Sequence, residues 1–162
     1  EMAAEKYADL ANLPEDVIMD RFQSELGQVT PKVGVDAAIF SNTGDMFLVK
    51  RADDHLWSLP CGWAEIGETP PQAIEREVLE ETGLVVEATE LIDVFSRLPG
   101  EYGQPHTSVH VLYMCEPLSS EVNLSSEVVN SGYYDFHRVR DWHRDHAAKA
   151  HRAWALWQRR NR

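Results

Sequence analysis

The stretch "GWAEIGETPPQAIEREVLEETGL", residues 62–84, carries six glutamates in its first twenty positions, three of them between Glu77 and Glu81. Like charges at i,i+4 on a helix cost ~0.2–0.5 kcal/mol per pair, so such a helix needs open solvent or a cationic partner. Thr69 suits an N-cap, Pro70 the first helical position, Gln72 the returning half of a capping box and Gly83 a left-handed C-cap. The spacing therefore predicts a helix from Pro70 to the residue before Gly83. At about 100° per residue, Glu77, Glu80 and Glu81 share a sector roughly 100° wide. Three convergent carboxylates suit a hard divalent cation such as Mg²⁺, which takes oxygen ligands while also binding substrate phosphates. Arg76, four residues before Glu80, is placed to orient that carboxylate. Gly62 and Gly67 bracket a tight loop entering the helix, and a glycine there lets a backbone carbonyl approach a metal. Glu68 is placed to accept amide hydrogens of that loop. The glycine-rich run ending in Lys-Ser/Thr that cradles phosphate in a P-loop is missing here.

Outside this stretch the composition narrows the function classes. A chain of 162 residues with 27 acidic and 15 basic side chains, formal charge −12, is expected to be one catalytic domain with one site. The charge argues against a nucleic-acid polymer or an anionic membrane as partner. No apolar run reaches the length of a membrane span and no basic-then-apolar leader is visible, so a cytoplasmic protein is expected. Two cysteines, Cys61 and Cys115, suit a reducing compartment and are expected to be packing residues.

Along the chain, residues 14–26 place Val17, Ile18, Phe22 and Leu26 at helical spacing, predicting an N-terminal helix closed by Gly27. Residues 33–40 and 45–51 are short and apolar around "SNTG", predicting an antiparallel hairpin. Further strands are expected at 90–98, 108–116 and 132–136, and a polar surface loop at 99–107. The tail from Asp141 to Arg162 reads as a helix with an Ala147, Ala150, Trp154, Trp157 stripe, suited to core or dimer contact. His137, His143, His146 and His151 are expected on a polar face of that tail, with no carboxylate or cysteine at ligand spacing to make a transition-metal site. These elements predict an α/β layered domain with a mixed sheet, divided as a helical extension over 1–30 and a catalytic domain over 31–162.

Gly62, five residues, Glu68, seven residues, then Arg76-Glu77-Val78-Leu79-Glu80-Glu81-Thr82-Gly83-Leu84 resembles the Nudix box with every defining position filled. The flanking pattern over about residues 30–140 is similar to Nudix domains, with Cys61 standing where such proteins usually have a second glycine. The resemblance implies an α/β/α sandwich and an Mg²⁺-dependent pyrophosphohydrolase, with Mn²⁺ as substitute ion. It implies Glu77, Glu80, Glu81 and the Gly62 carbonyl as metal ligands, Arg76 as their partner, Glu68 and Gly83 as structural members, and Glu127 as general base. Arg51, Glu101 and Tyr102 are candidates for substrate contact, Glu101 also being the second candidate base. Pro99 and Tyr102 resemble the downstream proline of ADP-ribose hydrolases and the tyrosine linked to dinucleoside polyphosphates. The short N-terminal helix resembles relatives acting on CDP-alcohols. The expected reaction is hydrolysis of the diphosphate bond in a nucleoside diphosphate linked to another group, releasing two phosphomonoesters, by a homodimer. The alternatives are a nucleoside triphosphate pyrophosphatase and a non-catalytic nucleotide sensor.

Overall fold

The computed structural model describes residues 4–5, 8–9, 12–24 and 30–161. The elements bounded within them are α1 (Glu15–Ser24), β1 (Lys32–Ala38), β2 (Met46–Arg51), β3 (Trp57–Ser58), β4 (Cys61–Trp63), α2 (Pro70–Thr82), β5 (Val86–Arg97), β6 (Ser108–Pro117), β7 (Val128–Tyr134) and α3 (His146–Arg160). The fold is mixed α/β, with one sheet ordered β4-β1-β6-β5 and another ordered β3-β2-β7. The chain forms two compact units, Glu1–Val33 with Phe95–His110, and Gly34–Val94 with Val111–Arg162.

In the first unit, Ile18 is buried against Ala4 and Ala8, with Leu13, Met19 and Phe22 packed around them. Val17, 100° away on the helix, is left half exposed, contrary to its expected place in the apolar stripe. Leu26 and Gly27 lie outside the described residues. The 99–107 connection is a loop as expected, with a single 3-10 turn at Glu101–Gly103.

The core of the second unit joins α2 to β1, β2, β5, β6 and β7. Val35 and Ala37 alternate along β1 with Ile39 just past its end, Phe47 and Val49 along β2, and Ala73, Ile74 and Val78 line the inner face of α2. This is period two from the strands meeting period 3.6 from the helix. The hairpin expectation needs correction. The turn exists, with Ser41 N–H donating to Asp45 O at 2.8 Å, Phe47 N–H to Ile39 O at 2.8 Å and a Phe40–Met46 bridge. Beyond it the strands part into different sheets. The Ala37 N–H turns to Pro60 O at 2.9 Å, and β1 continues antiparallel to β4 with Asp36 opposite Cys61 and Val35 opposite Gly62.

α2 begins and ends where its local chemistry requires. Gln72 Oε1 accepts from Thr69 N–H at 3.0 Å and from the Thr69 hydroxyl at 2.9 Å. Gly83 closes the helix at φ 76°, a left-handed conformation that costs glycine nothing. A Cβ there would also stand 2.8 Å from Asn123 N. Two of the carbonyls orphaned at the helix end are taken by the loop before β7, through Asn123 N–H to Thr82 O at 2.8 Å and Ser125 N–H to Glu81 O at 3.0 Å. No helix among the described residues is long and apolar enough to cross a membrane.

Candidate active site

The outer face of α2 packs against β4, and the contact is made by the acidic residues. Arg76 organises them. Its Nε donates to Glu68 Oε1 at 2.7 Å, one Nη to Glu77 Oε1 at 3.1 Å and Glu80 Oε2 at 3.0 Å, and the other to Glu68 Oε2 and Trp63 O, both at 3.0 Å. These five contacts match the five N–H donors of a guanidinium. Besides Glu80, the pairing expected of it, Arg76 holds Glu77 and ties the helix to the Trp63–Glu68 loop. Its fork holds the Glu68 carboxyl down to about 2, and Glu68 Oε2 also accepts Glu65 N–H at 2.9 Å, bracing the turn as its position suggested.

Glu77 and Glu81 are the shielded members of the acidic face, while Glu80 is exposed. Burial raises Glu77, opposed by its bond to Arg76. Burial pushes Glu81 up to about 8, with the charges of Glu77 and Glu127 adding to the rise and its bond from Cys61 N–H, at 3.2 Å, opposing it. Two carboxyls thus stand side by side in a shielded place where like charge disfavours ionisation of both. A divalent cation reverses that penalty, and the oxygen-only donor set fits a hard ion.

Gly62 is required here by a close approach. A Cβ built on it would lie 2.0 Å from the Glu77 carboxyl carbon and 2.2 Å from both its oxygens. Gly62→Ala is therefore expected to swing Glu77 out of the site while leaving the fold intact, because the displaced group is the far end of a flexible chain. Calorimetric titration with Mn²⁺ should show affinity reduced by about 10- to 100-fold, the range set by disturbing a ligand's support, at an unchanged far-UV spectrum.

The remaining candidates divide. Glu127 lies on the loop that caps α2, one residue before β7; its carbonyl accepts Ala52 N–H at 2.8 Å, and its charge adds to the rise at Glu81. Arg51 also acts electrostatically on Glu81, but its guanidinium is forked onto Asp53 at 2.9 and 2.7 Å, holding that carboxyl at about 2. Glu101 and Tyr102 belong to the first unit. There Glu101 accepts Leu98 N–H at 2.7 Å, and Tyr102, at φ 52°, carries the Arg97 guanidinium 5.7 Å from its ring centre.

The tail departs most from expectation. Helix α3 starts only at His146, and its buried side is His146, Lys149, Ala150 and Ala153, with Trp154 and Trp157 half-buried and stacked 4.9 Å apart. His137 lies in a 3-10 turn. His143 and His146 are buried, and His146 is brought to Asp36 and Cys61, whose ligand atoms lie within 4.8 Å of its own. His137 and His151 are exposed as a polar face requires, whereas His143 and His146 are not, and the neighbours of His146 escape any reading of sequence spacing because they are remote in the chain. The cation at this cluster is a side chain: Lys149 Nζ donates to both oxygens of Asp36, at 2.9 and 2.8 Å, with both residues fully buried. Cys61, expected as packing, also sits in this group, and burial pushes its thiol upward. A lone aspartate in an apolar strand and a lone lysine in an alanine-rich helix were the signal for this pair.

A NUDIX domain model matches residues 30–158. The Bacillus subtilis protein YjhB is 30% identical over 139 residues, covering 85% of this chain and 66% of that protein. An ADP-ribose pyrophosphatase of Methanocaldococcus jannaschii is 27% identical over 112 residues, covering 67% of this chain and 64% of its own length. The chain thus spans slightly less than two thirds of these curated relatives. Among solved structures, an ADP-ribose pyrophosphatase from Streptococcus suis superposes with TM-score 0.67 at 27% identity, covering 80% of this chain and 93% of that one. A UDP-X diphosphatase superposes with TM-score 0.73 at 20% identity, covering 91% and 73%, a likeness of fold.

Proposed function

This chain belongs to the NUDIX domain family, and we propose that it hydrolyses the diphosphate bond of a nucleoside diphosphate linked to a sugar, of ADP-ribose type, with Mg²⁺ as cofactor. One observation carries the reading: Glu81, buried and held near neutrality, stands with Glu77 on the helix face packed against Gly62. Glu77, Glu81, the exposed Glu80 and the Gly62 carbonyl would hold the ion, all of them oxygen donors as Mg²⁺ prefers. When bound, the ion supplies charge neutralisation for the diphosphate and lowers the pKa of attacking water.

The chain's own residues do the rest. Arg76 fixes Glu77 and Glu80 before substrate arrives, so their geometry is set in advance. The Cys61 N–H orients Glu81 from behind. Glu127, on the loop tied to the end of α2, is the candidate base that takes the proton of the attacking water, and Arg51 is the neighbouring cation for substrate phosphate. The names of the Methanocaldococcus and Streptococcus relatives favour ADP-ribose.

Incubation of the protein with ADP-ribose and Mg²⁺, read by mass spectrometry, is expected to give AMP and ribose 5-phosphate. The reaction should stop when the ion is chelated. Release of inorganic pyrophosphate from nucleoside triphosphates, with ADP-ribose untouched, would point to the triphosphate pyrophosphatase instead. Tight nucleotide binding without product would point to the sensor.

A further inference from the structure

The segment Trp57–Gly62 delivers Gly62 to Glu77 and the Cys61 amide to Glu81; β1 and β2 pair with it, and at Trp57 and Leu59 its backbone is also tied to residues 141–146. Trp57 N–H donates to Asp141 O and His143 N–H to Trp57 O, both at 2.8 Å. Further along, Leu59 N–H donates to Nδ1 of His146 at 3.2 Å, a bond buried within the second unit. His146 is 1% exposed and Leu59 fully buried, so no solvent can replace this acceptor. An amide left unsatisfied in such a place carries its full desolvation penalty, and the segment would shift to relieve it.

The bond fixes the imidazole's form. Accepting at Nδ1 places the proton on Nε2, which faces Cys61 Sγ at 4.0 Å, one residue before Gly62. Asp36, whose Oδ1 lies 3.8 Å from the same Nδ1 and which stands opposite Cys61 in the strand register, is clamped by Lys149 from the next turn of α3. Helix α3 therefore reaches the segment twice, by a neutral acceptor on its backbone and by an ion pair on its neighbouring strand.

We infer that His146 is a positioning residue for the carboxylate site: by accepting the Leu59 amide it sets the path of residues 59–62, and so the seating of Gly62 on Glu77 and of the Cys61 amide on Glu81. This rests on the carboxylate site being the metal site, and it assigns a role to the start of α3, which lends that site no carboxylate of its own.

The test compares His146→Asn, whose side-chain oxygen can stand where Nδ1 stands, with His146→Leu, which offers no acceptor. Mn²⁺ affinity by electron paramagnetic resonance and amide exchange at Leu59 and Cys61 by NMR are the readouts. Ala153→Gly, at another buried position of α3, serves as a control for lost helix stability. The expected result is that His146→Leu weakens Mn²⁺ binding by about 10-fold or more and speeds exchange at Cys61. His146→Asn should restore both to within about threefold of wild type, and Ala153→Gly should move neither. Equal Mn²⁺ affinity and equal Cys61 protection in wild type and His146→Leu would overturn the proposal, as would an Asn variant no better than Leu. A wild-type protein that binds no Mn²⁺ would overturn the carboxylate-site reading itself, and the proposal with it.

Discussion

Glu81→Gln is expected to lower turnover of ADP-ribose by at least about 10²-fold, equivalent to ~2.7 kcal/mol of lost transition-state stabilisation, while leaving the metal-free protein as stable as wild type or more so. The two effects have one cause. Glu81 has its folded-state carboxyl raised to about 8 from the ordinary 4.5, chiefly by burial. The folded protein therefore holds that proton more tightly than the unfolded chain, and stability falls as pH rises from about 4.5 to about 8. Glutamine keeps the shape without the charge. The metal-free thermal midpoint of wild type should decline across that window, whereas the Gln variant should run flatter and stand above wild type at pH 8. Added Mg²⁺ should raise the wild-type midpoint at pH 8 and leave the variant unmoved, because a ligand stabilises only the form that binds it. Parallel pH profiles for the two proteins would contradict this account of Glu81.

Lys149→Met is expected to produce the largest loss of stability, about 3–5 kcal/mol, because it strands the Asp36 carboxylate in a fully buried place. The companion change is the informative one. In Asp36→Leu/Lys149→Met both charges go together, and buried pairs replaced by apolar groups of similar volume are often neutral or stabilising. Urea denaturation of the two singles and the double should therefore give strongly non-additive costs, with the double recovering most of the loss. Additive costs would mean that the pair does not share one buried environment. Asp145 stands 3.5 Å from Lys149, so the Asp36→Leu single should be milder than the lysine single, the ammonium keeping one carboxylate.

These two residues also mark the boundary of what the sequence discloses. Helix α2 was legible because the residues that start and stop it lie within it or one residue beyond: Thr69 with Gln72, Pro70, and Gly83. The same holds for Arg76 with Glu77 and Glu80, which neighbour each other on one helical turn. The second reason for Gly62 was less legible. Its spacing suggested a carbonyl near a metal, whereas the fold adds a Glu77 carboxyl where a Cβ would sit. Fully hidden were relations between distant residues, since Lys149 meets Asp36 across 113 positions and His146 meets Leu59 across 87. Periodicity reports which face of an element is apolar, not what covers it. The 33–51 region failed for a related reason: turn residues specify a reversal, and only the competing partners β4 and β7 decide that the two arms enter different sheets. Val17 completes the pattern, being apolar at helical spacing but half exposed.

The most direct test of the central claim is a crystal structure of the protein with Mn²⁺, phased for anomalous scattering. The account predicts density bounded by the carboxylates of Glu77 and Glu81 and the carbonyl of Gly62, with oxygen ligands at about 2 Å and Arg76 still bonded to Glu68. Manganese seated elsewhere, or α2 carboxylates spread apart with no ion between them, would contradict it.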